Sequence, residues 1–125
     1  MFAITPSRPW FAGFITLLHS VTRTSNNSDF QFLFIGHKGL LDSQLTEEQR
    51  ALTIRAVGSH RTRWHSIDDG RLRRWAAVPY LRPGALMALV KLELFFLSQA
   101  MRLIFLDLDT LVLRPLDFAH TFLGH

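Results

Sequence analysis

The stretch RLIFLDLDTLVLRPLD, Arg102 to Asp117, decides the fold. Four apolar residues, Leu103 to Leu106, run directly into Asp107, Leu108 and Asp109. A short apolar run that ends in carboxylates predicts a central, nearly fully buried strand delivering acids at its C-terminal end. In an extended chain, residues two apart point to the same side. Asp107 and Asp109 are therefore expected to face one target, with Leu108 turned into the core. Two hard carboxylates on one side suit a divalent cation such as magnesium or manganese. In open α/β sheets, ligands sit just beyond the carboxyl ends of the strands, which is where the two acids fall. Aspartate is also a common turn and cap residue. With seven aspartates in the chain, a D-x-D arises by chance about 0.4 times. The signal is thus the context, an apolar run before the acids and Thr110, Leu111, Val112 and Leu113 after them.

The chain has 125 residues, enough for one domain and not two. Nearly half are hydrophobic, so a sizeable core is expected and disorder is not. There is no cysteine, which excludes disulfides and thiolate metal sites. A reducing, cytoplasmic compartment is the expectation, with the Golgi as the alternative. The net charge of +4 is carried almost wholly by arginine. Such a surface attracts nucleic acid, anionic membrane or phosphorylated small molecules. No apolar run approaches the roughly 20 residues of a membrane span, so no transmembrane segment is expected. Phe11 to Leu18 has the length of a signal-peptide core, but only Arg8 precedes it and no small-residue cleavage site follows.

Working outward, Phe2 to Thr5 predicts a short strand that Pro6 and Pro9 break. Pro9 suits the first turn of a helix. Phe11, Phe14, Ile15, Leu18 and Val21 then follow helical spacing to about Thr24, a stripe expected to be plain core. Phe30 to Ile35 predicts a second buried strand, ended by Gly36. Thr46 and Gln49 have capping-box spacing, and a helix from about Glu47 to Val57 should stop at Gly58. Thr62 to Ile67 predicts a weaker third strand, interrupted by charge. Strands alternating with helices indicate an α/β architecture with a largely parallel sheet.

From His60 to Arg74 the chain is basic, with Trp64 and Trp75 among the arginines. Arginine beside tryptophan can bind a nucleic-acid strand by phosphate contact and stacking. No nucleic-acid-binding signature accompanies it, so a solvated loop covering the fold is the expectation. The six histidines show no metal-ligand spacing, and His60 and His65 are expected at the surface. No phosphate-binding P-loop, GxGxxG or nucleophile elbow is present. Tyr80 to Gly84 predicts a turn into a helix from Ala85 to about Ala100, apolar on most sides except at Lys91 and Glu93. A lysine in such a helix must snorkel out, pair or serve a site. Lys91 is placed to reach the edge of the same pocket as the acids.

The passage KLELFFLSQAMRLIFLDLDTLVLRPLDF, Lys91 to Phe118, resembles the core of glycosyltransferase family eight, the family that includes glycogenin and the galactinol synthases. The shared pattern is a lysine-bearing helix, a hydrophobic strand, D-x-D, an apolar tail and a proline- or asparagine-containing turn before an acid. Leu108 stands where alanine is commoner. The opening is similar too, with an early strand, then Trp10, Gly13 and a helix ending near Thr24. At that end the family usually has threonine and an acidic or amide residue before a tyrosine; here Ser7, Arg8, Pro9 and Trp10 stand instead.

The resemblance implies a GT-A (Rossmann-like) fold, a UDP-sugar donor, Mn2+ or Mg2+, and transfer of a hexosyl group with retention. Asp107 and Asp109 would hold the metal, Leu108 would line the donor site between them, and Lys91 would approach the donor's sugar or phosphate. The sugar and the acceptor are not specified. Family members continue into an acceptor-binding half and a histidine that completes the metal site. His120 and His125 come too soon after the acids to match it. The expectation is therefore a partial, truncated domain over residues 1–125, the nucleotide-sugar-binding half, completed by a partner chain or a further half. A non-catalytic nucleotide-sugar-binding remnant or interaction module is the alternative. A haloacid-dehalogenase-like phosphatase also uses a strand followed by D-x-D, but needs D-x-D-x-T, and here Thr110 follows Asp109 directly.

Overall fold

A computed structural model describes residues 1–25, 29–79, 90–97 and 102–113. The expected Tyr80–Gly84 turn, most of the expected Ala85–Ala100 helix, the turn before Asp117, His120 and His125 lie outside these. The chain is α/β, with a four-stranded parallel sheet flanked by helices. The strands are β1 (Phe2–Ile4), β2 (Phe32–Gly36), β3 (Thr62–Ser66) and β4 (Ile104–Phe105). Their order across the sheet is β3-β2-β1-β4. Phe2 lies opposite Phe32 on one side and Ile104 on the other, and Phe32 lies opposite Thr62.

Strand alternation sorts the side chains into two core layers. Phe2, Ile4, Phe32 and Phe34 pack on α1 (Phe11–Thr24) and on Val57 of α2 (Glu47–Val57). Ala3, Leu33 and Ile35 point the other way, onto Leu72 of α3 (Asp69–Ala76) and onto Val90, with Leu94 of α4 (Glu93–Leu97) beside them. Both faces are covered, as a parallel sheet requires. The buried face of α1 is Phe14, Leu17, Leu18 and Val21. Phe11 and Ile15 of the expected stripe are half-buried at its margin. Aromatic rings fill the first layer, with Phe32 stacked on Phe34 at 5.9 Å and Phe14 edge-on to Phe34 at 5.4 Å. Such pairs contribute beyond their buried area, about 0.5–1.5 kcal/mol each.

The α2 boundaries are as its sequence signals indicate. Gln49 N donates to Thr46 Oγ1 and Thr46 N donates to Gln49 Oε1, both at 3.1 Å, closing the capping box. Gly58 ends the helix at φ +91°, a conformation that costs a residue with a Cβ.

Two expectations are corrected. Leu103 to Leu106 was expected as a central, nearly fully buried strand. Among the described residues β4 lies at the end of the sheet, pairs only with β1 and is half-buried. An apolar run on both faces marks any strand of a helix-covered parallel sheet, so it does not distinguish centre from end. The His60–Arg74 segment was expected as a solvated loop. The strand expected at Thr62–Ile67 forms as β3, and the rest of the segment forms α3 rather than a loop, with Asp68 capping α3 by accepting from Arg71 N at 3.0 Å. Two of its arginines, Arg61 and Arg71, are engaged within the protein, while Arg63, Arg73 and Arg74 are exposed. Arg61 lies 4.3 Å from the Phe30 ring centroid and Arg71 pairs with Glu93, while Arg50 of α2 covers Trp64 at 4.0 Å.

Candidate functional site

The chain runs outward from β1 to β2 to β3 and then returns to the opposite side of β1 to place β4. The direction of winding therefore reverses between β1 and β4. At such a switch point the connections leave in opposite directions and open a crevice beyond the carboxyl ends of the strands, where open α/β sheets bind ligands. A cleft of about 930 Å³ lies there. It is lined by Thr5 after β1, by Trp10, Gly13 and Thr16 along the first turns of α1, by Lys91, and by Phe105 to Leu111. All four residues expected at the donor site, Lys91, Asp107, Leu108 and Asp109, line this one cleft.

The local conformation differs from the expected one. Pairing with β1 continues to Leu106, whose N–H donates to Ala3 O at 3.0 Å. The chain then turns rather than staying extended. Thr110 N donates to Asp107 O at 3.2 Å, and Thr110 Oγ1 donates to the same carbonyl at 2.6 Å. Asp and Thr are turn formers, and this chemistry overrides the period-2 geometry expected of the D-x-D. Asp107 and Asp109 thus reach the cleft from a tight turn, while Leu108 packs half-buried against the first core layer. Beyond the turn, Val112 N donates to Ser20 Oγ at 3.0 Å and ties the segment to α1.

Lys91 does not pair with Glu93. Its Nζ sits 3.1 Å from Asp107 Oδ1 and 5.2 Å from the Phe105 ring centroid. Both partners of this ion pair are about half exposed, 51% and 54%. It is a solvated contact of modest strength that a competing anion or cation can open. Among the described residues Asp109 has no ion-pair partner. Trp10, 72% exposed, stands at the rim as a large flat apolar surface in water.

Two exposed, ionised carboxylates are hard oxygen donors of the right kind for the expected divalent cation. Magnesium-type sites commonly use one or two carboxylates and take their remaining oxygens from water and substrate phosphate. Among the described residues no group of three His, Asp or Glu side chains is gathered to hold a metal without such help. The donor set therefore fits a cation that arrives with a phosphate ligand, not a standing all-protein site.

Sequence reading missed the most deeply buried acidic side chain among the described residues. Glu93 is fully buried, and its carboxylate accepts from both Arg71 Nε, at 3.1 Å, and Arg71 Nη2. His65 Nε2 lies 2.9 Å from the same carboxylate. This carboxylate holds the Arg71 guanidinium above its ordinary pKa, chiefly by hydrogen bonding. His65, expected at the surface, is half-buried. His37 is buried as well. Its Nδ1 accepts from Gly39 N at 2.8 Å, which puts the proton on Nε2 for donation to Asp69. That bond is the main cause holding the exposed Asp69 carboxyl below its usual range. The sequence signal available for these pairs was the placement of acids within otherwise basic or apolar segments.

A smaller cleft of about 190 Å³ adjoins the ends of β2 and β3, beside Gly36, Arg50, Trp64 and His65. No protein-family model matches the chain, and no curated protein matches it.

Proposed function

We propose that the chain binds a nucleoside-diphosphate sugar, in the UDP-sugar class, together with Mn2+ or Mg2+, as the donor site of a retaining glycosyltransferase of GT-A type does. One observation carries this reading: Lys91, Asp107 and Asp109 converge from separate elements on the cleft at the β1/β4 switch point. That cleft offers a cationic contact, two oxygen donors and an exposed aromatic face, which match a phosphate, its cation and a ring.

Asp107 and Asp109 would hold the cation, whose chemistry is to offset negative charge on the departing diphosphate. The Lys91 ammonium, a compact point charge, would move from Asp107 to a phosphate oxygen. This exchange conserves charge pairing on both sides. Leu108 would keep the two carboxylates at the rim by holding the turn against the core. Trp10 would cover one face of the bound ring and keep water from it.

Isothermal titration of the full chain with UDP in MnCl2 tests the reading. Asp109→Asn should abolish manganese-dependent binding while leaving folding intact, because an exposed carboxylate contributes little to the core. UDP binding that is unchanged in Asp109→Asn would count against it. A second reading, a nucleotide-sugar-binding module without transfer activity, is favoured by the lack of a third metal ligand among the described residues. Sugar transfer from UDP-glucose or UDP-galactose to an acceptor panel separates the two. Turnover that disappears in Asp109→Asn identifies an enzyme, and tight binding without turnover identifies a module.

A further inference from the structure

Glu93 lines neither cleft, and its carboxylate is saturated by Arg71 and His65. A fully buried carboxylate held by two side chains from different elements is a directional attachment, because charge-assisted hydrogen bonds fix angle as well as distance. It ties α4 to β3 through His65 and to α3 through Arg71. The Arg71 guanidinium is itself held, with its carbon 4.5 Å from the Phe96 ring centroid. The described part of α4 has five residues, and a helical stretch of that length takes its stability from tertiary contacts.

What this attachment does follows from its distance to Lys91. Val90 and Glu93 are both fully buried, and exposed Lys91 and Leu92 lie between them. Apolar packing of Val90, with Leu94 and Leu97 beside it, is non-directional and permits small sliding and rotation of a short helical turn. The polar grip on Glu93 does not. With both fixed, the backbone at Lys91 has one position, and its ammonium meets Asp107 and Phe105 at the lip of the larger cleft.

We propose that Glu93, gripped by Arg71 and His65, is a positioning residue that sets Lys91 at the cleft. The role of Lys91 toward phosphate rests on the nucleotide reading above; the positioning itself does not. The chain has two lysines, Lys38 and Lys91, and Lys38 is exposed. In 13C-lysine-labelled full-length protein the ε-methylene of Lys91 should be displaced from that of Lys38 by the Phe105 ring current, with Lys38→Arg giving the assignment. In Glu93→Gln the Lys91 signal should move to the Lys38 position while the phenylalanine core signals stay dispersed. Arg71→Lys, which keeps a cation beside Glu93 but loses the two-oxygen grip, should move it in the same direction and guards against misfolding of the first variant. Titration with UDP and MnCl2 adds a functional readout. Glu93→Gln should weaken binding about tenfold, as expected for one charge-assisted hydrogen bond, and should cause no further loss in a Lys91→Ala background. A displaced Lys91 signal in a wild-type protein that binds no UDP would sink the nucleotide reading and leave the positioning intact. A Lys91 signal that stays put in folded Glu93→Gln, or in Arg71→Lys, would overturn the positioning.

Discussion

Asp107 has two demands on one carboxylate, and they predict opposite effects for one substitution under two conditions. In the ligand-free protein its Oδ1 holds Lys91 at 3.1 Å. In the proposed complex it binds the cation and Lys91 binds phosphate. Asp107→Asn therefore removes a metal ligand and also releases Lys91 before any ligand arrives. The pair is about half exposed on both sides, and exposed pairs contribute roughly 0.2–1 kcal/mol. That free energy, no longer spent on opening the pair, corresponds to UDP affinity about 1.5- to 5-fold higher when no metal is present. With manganese, loss of the ligand dominates and affinity falls below wild type. Asp109→Asn shares the loss with manganese and, lacking a lysine to release, should show a smaller gain without it. The assay is calorimetric titration of UDP into each variant in EDTA and in MnCl2, at low and at physiological salt. The gain in EDTA should shrink as salt rises, because the Debye length falls to about 8 Å at 0.15 M. A folded Asp107→Asn protein that binds UDP more weakly than wild type in EDTA would refute the exchange of Lys91 between Asp107 and phosphate.

Two further outcomes are expected. Gly58→Ala should lower stability by about 1–3 kcal/mol, the cost of placing a Cβ at φ +91° and ψ 140°, a region that glycine alone adopts freely, and this is read by urea denaturation. The new methyl would also lie 2.7 Å from His60 Cε1, which the exposed imidazole can vacate by turning away, so the strain at φ +91° should dominate. Asp69 is bound by His37, so its folded pKa lies below the ordinary 3.8; its stabilisation is present above that value and is lost as pH falls through the lower folded one. Melting temperature below about pH 4 should therefore fall more steeply in wild type than in Asp69→Asn, and parallel acid limbs would remove His37–Asp69 from the account.

Much of the architecture was legible because its signals are local. The period of Phe14, Leu18 and Val21 marks α1, and the Thr46–Gln49 box with Gly58 bounds α2 at both ends. Two apolar runs, around Phe2 and Phe32, mark the strands that both helical layers cover. What failed depends on distant partners. Arg71 reads as a solvated charge until Glu93, 22 positions on, is known to be buried against it. The same holds for His37 and Asp69, 32 positions apart. Whether Ile104 and Phe105 lie in the middle or at the end of the sheet is a property of what pairs beside them, which their own composition does not encode. The candidate site was legible in its membership, since Lys91, Asp107, Leu108 and Asp109 share one cleft. Its conformation was not, because the turn at Asp107–Thr110 competes with extension through side-chain chemistry that a period argument ignores.

The buried pairs raise a sharper question, since a carboxylate beside an imidazole is the orienting half of many catalytic constellations. His65–Glu93 and His37–Asp69 both have that form, yet their environments assign them to the fold. Catalysis by such a pair needs a second imidazole nitrogen directed at a nucleophile or substrate. The second nitrogen of His37 is occupied by Gly39 N–H, and the nearby Ser43 hydroxyl donates to backbone carbonyls, at 2.7 Å to Leu40 O. The Glu93 carboxylate is shared between the Arg71 guanidinium and His65, so it is not reserved for orienting the imidazole. Neither His37 nor Glu93 lines either of the two clefts described, and His65 reaches only the smaller one. Asp107 and Asp109 are the reverse case. They are exposed, they line the larger cleft, and their one described ion pair is weak enough to exchange. Burial and multiple contacts thus suit Glu93 and His37 to holding the fold, whereas exposure at the cleft, with an exchangeable Lys91–Asp107 contact, is what the proposed binding role requires of Asp107, Asp109 and Lys91.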